Sequence, residues 1–122
     1  FGVLINLAAG PMAGATSVTI SRFEFERFLQ LIQHYGMTRI FTPPPLIVQM
    51  AKNPLVEDYD LSSLEFILSG AAPLGADIQD LVQNRIGCLV KQGFGMTEGV
   101  PTLLSPNDLP IEKMRRGSLQ RF

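Results

Sequence analysis

The stretch Gln92-Gly93-Phe94-Gly95-Met96-Thr97-Glu98 brings together groups that could do chemistry. Glycine lets backbone approach a ligand closely and take angles that other residues avoid. Phe94 offers a flat apolar face, Thr97 a hydroxyl able to bond an anion, and Glu98 a hard oxygen ligand for Mg²⁺. A base, a phosphate and a metal ion are the parts of a bound nucleotide, so the stretch reads as a piece of a nucleotide site. A plain glycine turn with a solvated glutamate accounts for the same residues without any ligand. The elements that position the stretch decide between the two.

Those elements follow from periodicity and punctuation. Val3, Leu4, Leu7 and Ala8 recur at helical spacing from Phe1 to about Ala13, and Gly10-Pro11 disturbs the end. The β-branched run Thr16 to Ile20 predicts a strand, with a turn at Ser21 to Phe23. Phe25, Phe28, Leu29, Ile32 and Tyr35 predict a helix that Gly36 stops. Arg39 to Thr42 predicts a short strand broken by Pro43-Pro44-Pro45. Proline suits a first helical turn, so a helix follows through Ile47, Met50 and Ala51 to Asn53-Pro54. Glu57 to Ser63 reads as a polar loop, and Glu65 to Leu68 as a strand. The small-residue loop Ser69 to Gly75 then opens a helix with Ile78, Leu81, Val82 and Ile86 on one face, ended by Gly87. Cys88 to Lys91 is the last strand expected. Beyond Glu98 the chain is expected to loosen through Pro101, Pro106 and Pro110 and to close on the basic stretch Lys113-Met114-Arg115-Arg116.

Alternating strands and helices define an α/β fold with crossover connections and a parallel sheet. Ligands of such sheets bind beyond the carboxyl ends of the strands. The loops Ser69 to Gly75 and Gln92 to Glu98 follow successive strands and are expected there side by side. That placement favours the nucleotide reading.

Composition narrows the classes. The 122 residues are 46% hydrophobic and 17% charged, which suits a core-rich segment whose surface is partly covered by something else. A net charge of -1 gives no electrostatic case for nucleic acid or for an anionic membrane. The lone Cys88 excludes an internal disulfide and any multi-cysteine metal site. Residues 1–21 carry no charge, yet Asn6, Gly10-Pro11, Gly14 and the cluster Thr16, Ser17 and Thr19 argue against a membrane span or signal peptide. The chain starts at Phe1 rather than Met and ends at Arg121-Phe122 without tail character. It is expected to be an internal segment, residues 1–122 being part of one domain with no complete boundary inside.

The motifs Ser69-Gly70-Ala71-Ala72-Pro73-Leu74-Gly75 and Gln92-Gly93-Phe94-Gly95-Met96-Thr97-Glu98 resemble those of the adenylate-forming superfamily. The lead-in Asp60-Leu61-Ser62-Ser63-Leu64, the Pro44-Pro45 break, and the order and spacing of all four agree. The likeness extends over essentially the whole chain and is closest to 4-coumarate:CoA ligases and luciferase-like acyl-CoA synthetases. It implies part of the parallel sheet of a large amino-terminal domain, completed by the rest of that domain and a carboxyl-terminal lid. It also implies a two-step reaction. A carboxylate attacks the α-phosphate of ATP to give an acyl-adenylate and pyrophosphate, and a thiol, usually coenzyme A, then displaces AMP.

The same resemblance implies roles for individual residues. Gly70, Ala71, Ala72 and Pro73 lie along adenine and wall the acyl pocket, Gln92 and Gly93 border adenine and substrate, and Phe94, beside Gly95, stacks on adenine. Thr97 contacts the α-phosphate and Glu98 helps hold Mg²⁺. Phe1 and Ile5 fall in the acyl pocket, where plant coumarate ligases carry Tyr and Ser, so a more apolar acid is expected. Arg22 stands where a basic residue contacts CoA phosphates; a solvated charge explains it as well. Gln120 departs from the family's Gly-Ser-x-Gly turn, here Gly117-Ser118-Leu119-Gln120. The phosphate loop, the ribose-binding aspartate and the lid lysine are absent from the chain, so the segment alone is not expected to turn over. Carrier-protein loading by a peptide-synthetase-type domain and a truncated, non-catalytic interaction module are the alternatives. The expected compartment is the cytoplasm, or the peroxisome if a full-length chain carries a carboxyl-terminal signal. His34, Cys88, Asp77, Asp80 and the scattered methionines are expected to be structural.

Overall fold

Proline and glycine set the frame of the fold. The computed structural model describes residues 10–95 and the backbone of 96 and of 99–104. After a helical turn at Gly10–Met12 (α1), helix α2 spans Phe25–Tyr35 and ends on Gly36 at φ 56°, a left-handed conformation that glycine adopts without strain. Strand β1 (Arg39–Thr42) passes through Pro43 into α3 (Pro44–Lys52), whose first turn tolerates the prolines because its N–H groups need no helical partner. A 3-10 turn, Pro54–Asp58, follows, capped by the Asn53 side chain accepting from the Leu55 N–H at 3.0 Å. Then come β2 (Phe66–Ser69), α4 (Ala76–Ile86), β3 (Leu89–Met96) and β4 (Gly99–Leu104).

The sheet order is β1-β2-β3-β4. The first three strands are parallel and joined through α3 and α4, as the strand–helix alternation predicts. Ile40, Ile67 and Val90 are register partners across these strands and form one apolar row with Leu29, Ile32, Ile47, Met50 and Val82 in the core. Burying each such side chain contributes about 1.5–3 kcal/mol. Two residues further on, the same face carries Thr42, Ser69 and Gln92, also register partners and all buried. The face thus turns from apolar to polar at the carboxyl ends of the strands.

Arg85 ties α4 to the end of α3. Its Nη1 donates to the carbonyls of Ala51 at 2.8 Å and Met50 at 3.3 Å, which have no partner further along α3. Its Nη2 pairs with Glu57 at 2.9 Å, where the exposed carboxylate adds little.

Several expectations are corrected. Thr16 to Ile20 is not a strand; it pairs with no strand among the described residues, and β-branched residues without a ladder partner do not make one. Tyr35 and Leu81 lie off their helices' buried stripes at 58% and 46% exposure, whereas Gln79 is buried. Part of the predicted polar loop is the 3-10 turn. Strand β3 does not stop at Lys91 but continues through the glycine motif to Met96. The chain beyond Glu98 does not loosen at once, because Gly99–Leu104 pairs antiparallel with β3. The register shift between Phe94 and Met96 absorbs the glycine-rich stretch, and β4 carries Pro101 at the sheet edge, where a missing donor is tolerated. Of the helix expected from Phe1 to about Ala13, the described part is helical at Gly10–Met12, while residues 1–9, the basic stretch 113–116 and the turn at 117–120 lie outside the described residues.

Candidate functional site

The two motifs meet at the carboxyl edge of the parallel strands. Ser69 and Gln92 are register partners at the ends of the β2–β3 pairing, so Gly70 and Gly93 run alongside each other. A Cβ placed on Gly70 would stand 3.6 Å from the Gly93 carbonyl, an ordinary contact that already closes the gap. The Gly70 N–H reaches back to the Thr42 carbonyl at 3.4 Å.

Between Gly70 and Leu74 the chain forms an arch of exposed small residues, Ala71, Ala72 and Pro73, over a buried Leu74. Ala71 has φ 72°, alone among the described non-glycine residues in being positive. Such a conformation costs on the order of 1 kcal/mol or more and persists where neighbouring contacts hold it. Gln92 supplies one such hold. Its Oε1 accepts the Leu74 N–H at 3.0 Å and its Nε2 donates to the Leu74 carbonyl at 3.1 Å. The buried Gln92 side chain therefore faces the arch from beneath.

Phe94 lies two residues beyond Gln92 and is 43% exposed, a flat apolar face left in solvent at the edge of the site. Gly93 is half-buried and Gly95 exposed. Arg22 is exposed in the bend after residue 20. Phe1, Ile5, Thr97 and Glu98, the expected acyl-pocket and phosphate–metal residues, lie outside the described residues. Among the described residues no group of three or more His, Cys, Asp or Glu could hold a metal, and no helix is long and apolar enough to cross a membrane.

The lead-in motif shapes the approach to β2. Hydrogen bonds from the Ser62 hydroxyl and backbone N–H hold the Asp60 carboxyl below the usual carboxylate range. That turn places Leu61 and Leu64 in the core.

Sequence reasoning gave no role to three polar residues that the site rests on. Thr42 and Ser69 are buried beside Gln92, and Gln79 reaches Gln92 from α4 at 3.3 Å. Gln79 had a visible signal: positions 79, 82 and 86 fall on one helical stripe with two apolar residues, so a polar residue there faces inward.

A profile of AMP-binding enzymes matches residues 1–119, and the chain belongs to this family. Over 92 residues it is 47% identical to a 4-coumarate–CoA ligase of Arabidopsis thaliana, covering 75% of this chain and 16% of that one. A natural red-emitting luciferase of Phrixothrix hirtus aligns at a TM-score of 0.75 and 44% identity, over 87% of this chain and 26% of that structure. An anthranilate CoA ligase in complex with anthranoyl-AMP shares the fold at a TM-score of 0.80 and 23% identity, over 90% of this chain and 22% of its own. The chain spans about a fifth or less of the curated relatives' length. The fold is that of the amino-terminal domain of adenylate-forming enzymes.

Proposed function

We propose that the protein carrying this chain is an ATP-dependent acid–thiol ligase that activates a carboxylic acid as its acyl-adenylate and transfers the acyl group to coenzyme A. The observation that carries this reading is the pairing of β2 and β3, which brings the Gly70–Pro73 arch and the Gly93–Gly95 stretch together at the strands' carboxyl edge. The names of the relatives, 4-coumarate–CoA ligases among them, favour CoA over a carrier protein as acceptor.

In this reading, Gly70, Ala71, Ala72 and Pro73 form the adenine wall, whose small side chains leave room for the base. Phe94 stacks on adenine, and Gln92 and Gly93 join the wall to the acyl pocket. Phe1 and Ile5 line that pocket without hydroxyls, so it takes an apolar aryl or fatty acid in preference to a phenolic one. The Thr97 hydroxyl bonds the α-phosphate that the substrate carboxylate attacks. The carboxylate of Glu98, a hard oxygen donor, suits Mg²⁺, which when bound offsets charge on the phosphates. Arg22 bonds the phosphates of CoA. The remaining walls of the active site come from the rest of the domain and from a carboxyl-terminal lid, and the protein acts in the cytoplasm or the peroxisome.

The test is acid-dependent pyrophosphate release by the full-length protein. Thr97→Ala and Glu98→Gln should each lose acyl-adenylate formation while keeping a native circular dichroism spectrum. Near-normal release by either variant would remove that residue from the phosphate chemistry.

A further inference from the structure

We propose that Gln79 is a positioning residue for the adenine wall, acting through Gln92: the two side-chain amides form a buried relay that fixes Leu74 and so the strained arch before it. The proposal rests on reading the Gly70–Pro73 arch as that wall.

Gln79 projects from α4 into the core and is 6% exposed. Its Nε2 donates to the Val90 carbonyl at 2.9 Å, and its Oε1 accepts from Gln92 Nε2 at 3.3 Å. Gln92, 5% exposed, then meets both backbone groups of Leu74, at 3.0 Å and 3.1 Å. The two hydrogens of Gln92 Nε2 thus have separate acceptors, the Leu74 carbonyl and Gln79. The network fixes both amide orientations. Turning Gln92 over would set its NH₂ against the Leu74 N–H, and turning Gln79 over would set its carbonyl oxygen against that of Val90.

The relay anchors one end of the arch, and the hydrogen bond from the Gly70 N–H to the Thr42 carbonyl anchors the other. Between the anchors sits Ala71 at φ 72°, a conformation that needs its surroundings to hold it. Only a side chain that both donates and accepts can link Val90 to Gln92. Methionine has the length of glutamine but would leave a buried carbonyl and a buried amide hydrogen without partners. Through its bonds to Val90 and Gln92, the influence of Gln79 on a bound base passes through where the wall stands.

A misplaced wall weakens ground-state and transition-state binding alike, so KM for ATP rises while kcat holds. In the full-length protein, Gln79→Met should raise KM for ATP on the order of fivefold with kcat little changed. Gln79→Glu keeps an acceptor toward Gln92 but sets a carboxylate oxygen against the Val90 carbonyl, so it should raise KM for ATP as well. The double variant Gln79→Met/Gln92→Met should be no worse than Gln92→Met alone, because the first residue acts through the second. Hydrogen exchange at the Leu74 N–H should quicken more than tenfold in Gln79→Glu, a readout that stands even if the methionine variant does not fold.

An unchanged KM for ATP beside a lowered melting temperature would make Gln79 a packing residue only, and additive effects in the double variant would make the two glutamines independent. Phe94→Ala separates the two levels of the reading. If it raises KM for ATP and Gln79→Met does not, the relay falls. If neither moves it, the adenine site itself is misassigned.

Discussion

Thr42 and Ser69 stand side by side at the carboxyl ends of β1 and β2, with both side-chain oxygens buried and without a hydrogen-bond partner among the described residues. A buried, unsatisfied polar group costs about 1–3 kcal/mol, and replacing it with an apolar group of the same shape removes that cost. Thr42→Val should therefore raise the unfolding free energy of the full-length protein by about 1 kcal/mol, and Ser69→Ala should not lower it. Chemical denaturation of each variant measures the change. A clear loss of stability in both would show that the hydroxyls are bonded in solution, to water or to another part of the protein.

That pair also shows where sequence reading reaches its limit. Helices α2 and α4 were legible because their apolar spacing and terminal glycines are local signals, and Gly36 and Gly87 indeed close them at positive φ. Strands β1 and β2 were legible as short β-branched or apolar runs between proline, glycine and polar turns. The continuation of β3 through Gly93 and Gly95 was not, because glycine is a poor strand former and the partner that holds it in a ladder, β4, itself carries Gly99 and Pro101 and reads as loop. The run Thr16 to Ile20 failed for the converse reason, having the propensity but no neighbouring strand among the described residues. In the site, Gln92 was legible as a motif residue. What its amide bonds was not, because Leu74 lies 18 residues away and is brought there by the crossover.

Ala71 offers a test of the strained arch. At φ 72°, glycine removes the clash of the Cβ, while a β-branched side chain aggravates it. Ala71→Gly should be neutral or stabilising by up to about 1 kcal/mol, the relief of strain being offset by the greater freedom of glycine in the unfolded chain. Ala71→Val should destabilise by about 2 kcal/mol. Thermal melts of the two variants check the order. If valine is tolerated as well as glycine, the arch does not hold the left-handed conformation in solution.

Cys88 carries a test that depends on pH. The residue is buried in the core just before β3, and desolvation pushes its thiol from 9.0 up to about 11. In the unfolded chain the thiol ionises near its ordinary value. Between these two values the folded chain therefore holds a proton that the unfolded chain has lost, and its stability falls as pH rises. The stabilisation is fully present below pH 9.0 and is lost on rising through about 11, amounting to on the order of 2 kcal/mol. Cys88→Ala should lack this part of the alkaline decline, which is measured by comparing denaturation midpoints of the two proteins from pH 8 to 11. In the native protein at pH 8, a disulfide reagent should label the peptide containing Cys88 only as fast as the chain opens, since the thiolate rather than the thiol attacks. Labelling at the rate of a free cysteine would place the thiol in solvent and remove both effects.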